Sequence, residues 1–557
     1  MQIVGGICFS ADCQSRWFPE QKVPSSVVKL SDMKSFPENV LAQSLSGLAA
    51  QCVNDGTSGE LVWIQTDSVE YKYLFDATIR RLEISEIREC SLWDLTAAYF
   101  NKGIVKGYIL YSQKEEVDCD SDCSINIATG IAGLLKGVLV EEGLEYKAME
   151  MGLKKLYDAR GKKALDVFER YKEQFNRNLV LAVAPSKAHM RDMAIAHRTM
   201  AVYGTDETVE TIYQWLNPPS AVLGWNKGDE YGHVSFASKW GLFETVSDWC
   251  LNIPILSAGS EQAPLVPVKH CRPWEIDFDD TNDAVAFLFS DGDNLQWNMG
   301  GFNFNERFWA NEHHGQFPMS WSTASASLAQ VSPETLNYRS ETQPSSTAEV
   351  EFSGGYFYPD LFAVERSDRK QLIRTYAKKL SKELGRTGVN VVCMLCEDVR
   401  SQNAKDVYEI FAEELQGIIG MIALQYYPYD GGDGEVFWFS NKQGIDIPLI
   451  TVKYTAWNNA SWERGGNIKK IADLIKAQKQ NRSHQTFSVV ANHAWSKYEI
   501  DGRKLSGLDA VKNLYDQLKA DVRVMNIEEL IWRLRMQHDP QQTKNEIDRI
   551  RATNLLN

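Results

Sequence analysis

The 557-residue sequence has no dense block of lysine or arginine, no apolar run long enough to cross a bilayer and only 10 cysteines. With 59 Lys and Arg against 74 Asp and Glu the formal charge is −15, a field that repels phosphate backbones and anionic lipid, so nucleic-acid and membrane-surface partners are not expected. The longest apolar stretches, such as 125–140, are broken by Gly, Thr, Asn or Lys before reaching the roughly 20 residues of a membrane span. Cysteine this dilute makes no disulfide framework. Cys393 and Cys396 form CMLC inside an apolar run, which reads as a strand, whereas a redox CxxC opens a helix; no second pair completes a zinc set. G-x-S-x-G, Walker A, H-E-x-x-H and dinucleotide fingerprints are absent, which removes the common serine-hydrolase, nucleotide-triphosphatase, zinc-protease and dinucleotide classes. The first ten residues carry no Lys or Arg before their short apolar run and no small-residue cleavage site, so no signal peptide is expected in this chain.

What is abundant is aromatic surface: 16 Trp, 22 Tyr and 23 Phe. Trp and Tyr combine a flat apolar face with a polar tip, which suits stacking on sugar rings as well as core packing. The length calls for three or four domains. Short β-rich runs such as ELVWIQ (60–65), KGYILY (106–111) and LVLAVA (179–184) alternate with helical stretches at 38–53, 92–101, 128–142 and 144–175, giving small α/β units over 1–90, 91–155 and 156–262. A proline-bearing strap at 253–283 leads into a last domain, 275–557. There the strand candidates are 284–290, 317–321, 389–395, 418–426, 447–454, 486–492 and 521–526, most separated by helices. The fold class is therefore α/β: small α/β N-terminal domains followed by a C-terminal seven-stranded (β/α) barrel-like domain.

Chemistry in such a domain gathers at the C-terminal ends of the strands. Those ends offer Asp291, Asp293 and Asn294; Trp321; Glu397 and Asp398; Tyr426, Tyr427 and Asp430; Trp457; His493 and Trp495; and Glu528. SDGDNLQW (290–297) places two acids two apart at a strand mouth, where they can divide base and ligand roles, hold a divalent cation, or simply cap a turn. SGGYFYPDLF (353–362) sets Tyr356 and Tyr358 on one side of an extended segment, as a ligand platform or a buried pair. LCEDVR (395–400) gives neighbouring carboxylates, one of which can be held protonated; helix N-terminal acids are the competing reading. In NHAWS (492–496), His493 and Trp495 share a side. LGWNKGDEYGH (223–233), with Trp225, Asp229, Glu230 and His233, reads first as a domain-packing loop and second as a cleft wall.

SDGDNLQW together with GGYFYP resembles the GxGYxYP family of putative glycoside hydrolases. The motif stands as Ser353-Gly354-Gly355-Tyr356-Phe357-Tyr358-Pro359, with serine at the first glycine of the family name. LSGLAAQ (45–51), RDMAIAHRTM (191–200), LGWNKGDEYGHVSFASKWG (223–241) and NHAWS extend the similarity along nearly the whole chain. The resemblance implies small α/β domains before a larger C-terminal one, and an exported, periplasmic or extracellular protein.

The first function expected is a glycoside hydrolase acting on an oligo- or polysaccharide, with Asp291 or Asp293 paired with Glu397 or Asp398, and with Asn294, Trp321, Tyr356, Tyr358, Tyr427, His493 and Trp495 on the sugar. That reaction requires no cofactor. The alternatives are a metal-dependent carbohydrate deacetylase, with a divalent cation on Asp291, Asp293 and His493, and a non-catalytic carbohydrate-binding protein.

Overall fold

The computed structural model describes residues 16–113, 119–280, 282–426, 429, 432–478 and 485–556. Three small parallel sheets come first. β1 (Ser26–Ser31), β2 (Glu60–Ile64) and β3 (Glu86–Ser91) pair in the order β2-β1-β3; β4 (Gly107–Tyr111), β5 (Gly137–Glu141) and β6 (Lys155–Asp158) in the order β5-β4-β6; β7 (Leu179–Ala182), β8 (Ala201–Val202), β9 (Ser220–Gly224) and β10 (Leu242–Val246) in the order β10-β9-β7-β8. Because β3 includes Cys90 and Ser91 and β6 begins at Lys155, the unit limits expected at 90/91 and 155/156 fall inside strands. The first unit instead closes with the helix Leu92–Asn101, which packs back on β1 and β3.

The helix Phe36–Asp55 joins these units. Ser35 caps it by accepting the Glu38 N–H, and Gly56 ends it at φ 72°, a left-handed turn that suits glycine. Residues 40–53 are buried all round, polar ones included. Its polar side chains reach across unit boundaries: Gln51 donates to the carbonyls of Gly133 (3.0 Å) and Ile195 (3.1 Å), and Ser44 accepts the Leu139 N–H (3.1 Å).

The strap then runs along the last domain, where Val266 and Lys269 donate their N–H groups to the side chains of Asn337 (2.8 Å) and Gln343 (2.7 Å). The last domain holds β11 (Ala284–Phe289), β12 (Met319–Thr323), β13 (Thr347–Phe352), β14 (Val391–Cys396), β15 (Gly420–Gln425), β16 (Val436–Ser440), β17 (Asp446–Thr451), β18 (Tyr454–Ala456), β19 (Gly465–Gly466) and β20 (Phe487–Asn492). A hairpin of β21 (Lys497–Ile500) and β22 (Arg503–Ser506) precedes β23 (Arg523–Met525). The sheet order is β16-β17-β15-β14-β13-β12-β11-β20-β18-β19, with β23 beside β11, and only β16–β17 is antiparallel. The sheet curls: β17 pairs with β15, and after Val452 and Lys453 the same segment pairs with β20 as β18. The chain is thus a mixed α/β protein with one large, curled, mainly parallel sheet after several small α/β units.

β11, β13 and β14 are buried along their whole length, and β11 and β14 are accordingly continuous apolar runs. β13, TAEVEF, is not among the expected strands, and it carries two glutamates. Both are buried with partners: Glu349 is bound at both oxygens by Arg339 (2.9 Å each), and Glu351 accepts from the Ala326 and Gly354 N–H groups (2.9 Å each). Cys393 and Cys396 are free, buried thiols of β14, whereas Cys119 and Cys123 form a disulfide. No helix among the described residues is long and apolar enough to cross a membrane.

Candidate functional site

The C-terminal ends of β11, β18 and β20 meet the loop after β9 around a cavity of about 300 Å³. On the β11 side the turn 290–294 presents Asp291 and Asp293 together. Asp291 is left-handed at φ 65° and accepts the Ser290 hydroxyl. The Gly292 N–H donates to the Ser322 Oγ (2.9 Å), and its carbonyl accepts from the Asn298 amide (2.8 Å). A Cβ at 292 would lie 1.8 Å from the Ser322 carbonyl oxygen, so the close approach of β12 admits only glycine. Asn294 donates to Asp293 (3.1 Å). Burial holds the Asp293 carboxyl well above the usual carboxylate range, and the charges of Asp291 and Glu230 push it the same way.

The opposite wall belongs to the third unit. β9 runs out into Trp225, placed by Asn226, which accepts the Gly204 N–H and donates to the Gly204 carbonyl (both 2.8 Å). Asp229 caps the helix Glu230–Ser238 by accepting the Gly232 N–H, which leaves Glu230 on the first turn facing the cavity. Burial raises the Glu230 carboxyl, and Asp291 adds to the rise; the hydrogen bond it accepts from the Tyr356 hydroxyl acts in the opposite direction. Behind it, fully buried His233 and Glu244 are joined at 2.8 Å.

The segment 353–359 locks the two walls together. Glu244 of β10 and Tyr356 exchange backbone hydrogen bonds of 2.7 and 2.8 Å. This approach leaves no room at the glycines: a Cβ on Gly355 would lie 2.3 Å from Phe243, and one on Gly354, at φ 85°, would lie 2.5 Å from Trp17. Ser353 is itself left-handed at φ 47°. Tyr356 lines the cavity; Tyr358 does not, because it sits behind, edge-on with ring centroids 6.0 Å apart.

On the far side His493 stacks on Trp457 (4.9 Å, 24°), whose ring also meets Tyr429 edge-on at 5.4 Å. Burial lowers the His493 pKa against the pull of Asp291.

Of the residues expected at the site, Asp291, Asp293, Asn294, Tyr356 and His493 come together, and Glu397, Asp398, Trp321, Tyr358 and Trp495 do not line the cavity. Glu397 accepts the Tyr231 hydroxyl on the rim, and the N–H groups of Glu397 and Asp398 donate to Asp360 (3.0 and 2.7 Å), so this pair shapes the turn before the helix Gln402–Glu414. Trp321 belongs to the body of β12 and is 1% exposed against Phe289 and Trp309. Trp495 packs on Trp297, Phe302 and Phe308 because the chain turns after His493, which breaks the alternation that would have aligned the two. Tyr427 lies outside the described residues. Asp291, Asp293 and His493 do not make a three-donor set: among the described residues no group of three or more His, Cys, Asp or Glu is placed to hold a metal ion. Glu230 was missing from the expected acids; its only sequence signal is the glycine-rich loop at 223–233, which serves both as domain contact and as cleft wall.

No curated protein matches the sequence. A crystal structure of a putative hydrolase from Bacteroides thetaiotaomicron VPI-5482 superposes with a TM-score of 0.78 over 93% of this chain and 96% of its own, at 23% identity, which establishes a shared fold. A domain of unknown function from Bordetella bronchiseptica, with bound citrate, covers 77% of this chain and 94% of its own at a TM-score of 0.13 and 11% identity, and carries no argument. Three family models match in order: the GxGYxYP_N second domain over residues 105–175, the GxGYxYP third domain over 177–258, and the GxGYxYP putative glycoside hydrolase C-terminal domain over 283–535. The chain belongs to the GxGYxYP family.

Proposed function

We propose that this protein is a glycoside hydrolase whose active site is the cavity between the third unit and the C-terminal sheet, with Glu230 as proton donor and Asp291 as the base or nucleophile. The observation that carries this reading is that acids from two separate units line one aromatic-walled cavity, the arrangement glycoside hydrolysis requires on either side of a scissile bond. Burial raises the Glu230 carboxyl, the direction a proton donor needs, while Asp291, from the other unit, accepts the Ser290 hydroxyl. Asp293, held well above the usual carboxylate range by burial, accepts from Asn294 and positions it. Trp225, Trp457 and Tyr429 offer faces to a sugar ring, and His493 and Asn294 offer polar contacts to its hydroxyls.

In this reading the curled sheet works as a seven-stranded barrel, β11 to β15 and β20 being joined by the continuous segment of β17 and β18, with its strand C-termini as the mouth. The backbone bonds from Val452 to Ala423 (2.9 Å) and from Lys453 to Val489 (3.1 Å) support that closure. The acid and base are both side chains, so no cofactor is required. The test is a screen of nitrophenyl glycosides and oligosaccharides, in which Glu230→Gln and Asp291→Asn each lose about 10²–10⁴-fold in kcat/KM with the fold intact. Glycosides bound but left uncleaved by wild type would leave a sugar-binding protein.

A further inference from the structure

We propose that the cavity selects a sugar carrying a free ammonium group, one ring at a time, and rejects uronic and sulfated sugars. The inference rests on the hydrolase reading above and names its substrate class.

Size, walls and charge carry it independently. A volume of about 300 Å³ lies at the low end of the roughly 300–1,000 Å³ of small-molecule pockets, enough for one ring and little more. Trp225, Tyr356, Tyr429 and Trp457 reach the cavity from four separate segments, with Trp225 nearly parallel to Tyr356 (6.3 Å, 21°) and Tyr429 edge-on to Trp457 (5.4 Å, 86°). Aromatic faces are electron-rich, and a cation within about 6 Å of a ring centroid is attracted to them once water is excluded. Glu230, Asp291 and Asp293 complete the lining, and no lysine or arginine among the described residues joins them. A carboxylate or sulfate would therefore meet three acids with no counter-charge. A neutral ring satisfies the hydrogen bonds but brings no opposite charge to the acids, whereas an ammonium placed between them does and meets the aromatic faces as well. Burial raises the carboxyls of Glu230 and Asp293, and the neighbouring Asp291 pushes both the same way.

Calorimetric titration of the full chain at neutral pH tests this with glucosamine, galactosamine and mannosamine, each beside its neutral parent, its N-acetyl form and its uronic acid. In at least one configuration the amino sugar is expected to bind about tenfold or more tightly than the neutral and N-acetylated forms, with no binding of the uronic acid. Asp291→Asn, checked for folding by circular dichroism, should reduce the amino sugar to the affinity of its neutral parent. A neutral, N-acetylated or uronic sugar that binds as well as the amino sugar overturns the proposal, and cleavage of its nitrophenyl glycoside would leave the hydrolase reading standing. If none of these sugars binds and none of their nitrophenyl glycosides is cleaved, both readings fall.

Discussion

Tyr356, on the signature loop of the C-terminal sheet, donates its hydroxyl hydrogen to Glu230, on the first turn of a helix of the third unit, while its backbone pairs with Glu244 of that same unit. One residue therefore ties two domains together and, through its hydroxyl, bears on the acid between them.

Replacing Tyr356 by Phe keeps the ring and removes the donor. The hydrogen bond favours the charged form of Glu230, so without it the Glu230 pKa rises further. An acid works only while protonated, and activity falls as pH climbs through that pKa; the basic limb of the pH–rate profile should move upward in the variant. Stability should fall by about 1–3 kcal/mol, because a buried acceptor loses its partner. An unmoved basic limb would remove Glu230 from the role of acid.

Gly292→Ala tests the turn that presents the two aspartates. With a Cβ 1.8 Å from the Ser322 carbonyl oxygen the turn cannot stay against β12, and urea denaturation should show a loss of about 3 kcal/mol or more. Ser322→Ala, which removes one hydrogen bond to Gly292, should cost about 1 kcal/mol. Equal stability of Gly292→Ala and wild type would contradict the packing.

The signature loop gives a prediction of opposite signs at adjacent residues. Ser353 holds a left-handed φ of 47° where the family name carries glycine, so Ser353→Gly should be neutral or stabilising by up to about 1 kcal/mol. Gly354→Ala should destabilise by about 2 kcal/mol or more, since φ is 85° and Trp17 occupies the space. Thermal melting of both variants decides it, and a more stable Gly354→Ala would be fatal to the argument.

Asp192, buried where the first three units meet, has its carboxyl pushed up to about 7 by desolvation, against the Met193 N–H (2.8 Å) and the Ser46 hydroxyl (3.3 Å) that favour its charge. A carboxyl raised above its unfolded value of about 4 contributes fully below that pH, and the contribution is lost as pH rises to about 7. Between pH 5 and pH 8 the loss is about 3 kcal/mol, and Asp192→Asn should escape it. The stability difference between variant and wild type, from urea midpoints at the two pH values, should shift by that amount in favour of the variant; a constant difference would show that Asp192 does not titrate in that window.

Local chemistry was legible in advance wherever a segment explains itself. The runs that become β11, β14 and β15 are continuous and apolar because both faces are covered, and the helix Phe36–Asp55 announces itself by a Ser cap and a terminal Gly. The helix expected over 144–175 is interrupted by β6, and the one over 128–142 ends at Leu135 to leave GVLVE as β5: runs this short fit either period until a neighbouring strand, β4, pairs with them.

The candidate site divides along the same line. Asp291, Asp293, Tyr356 and His493 could be picked out from their positions at strand ends and in a recognisable motif, properties of a few consecutive residues. That Glu230, rather than Glu397, faces them depends on β9 and β10 docking against the signature loop, a contact between segments more than a hundred residues apart. Sequence sets which side chains a loop carries and the turn it can make. Only tertiary packing decides which two loops share a cavity, because burial, and with it the raised carboxyls of Glu230 and Asp293, exists only once the third unit closes over the mouth of the curled sheet.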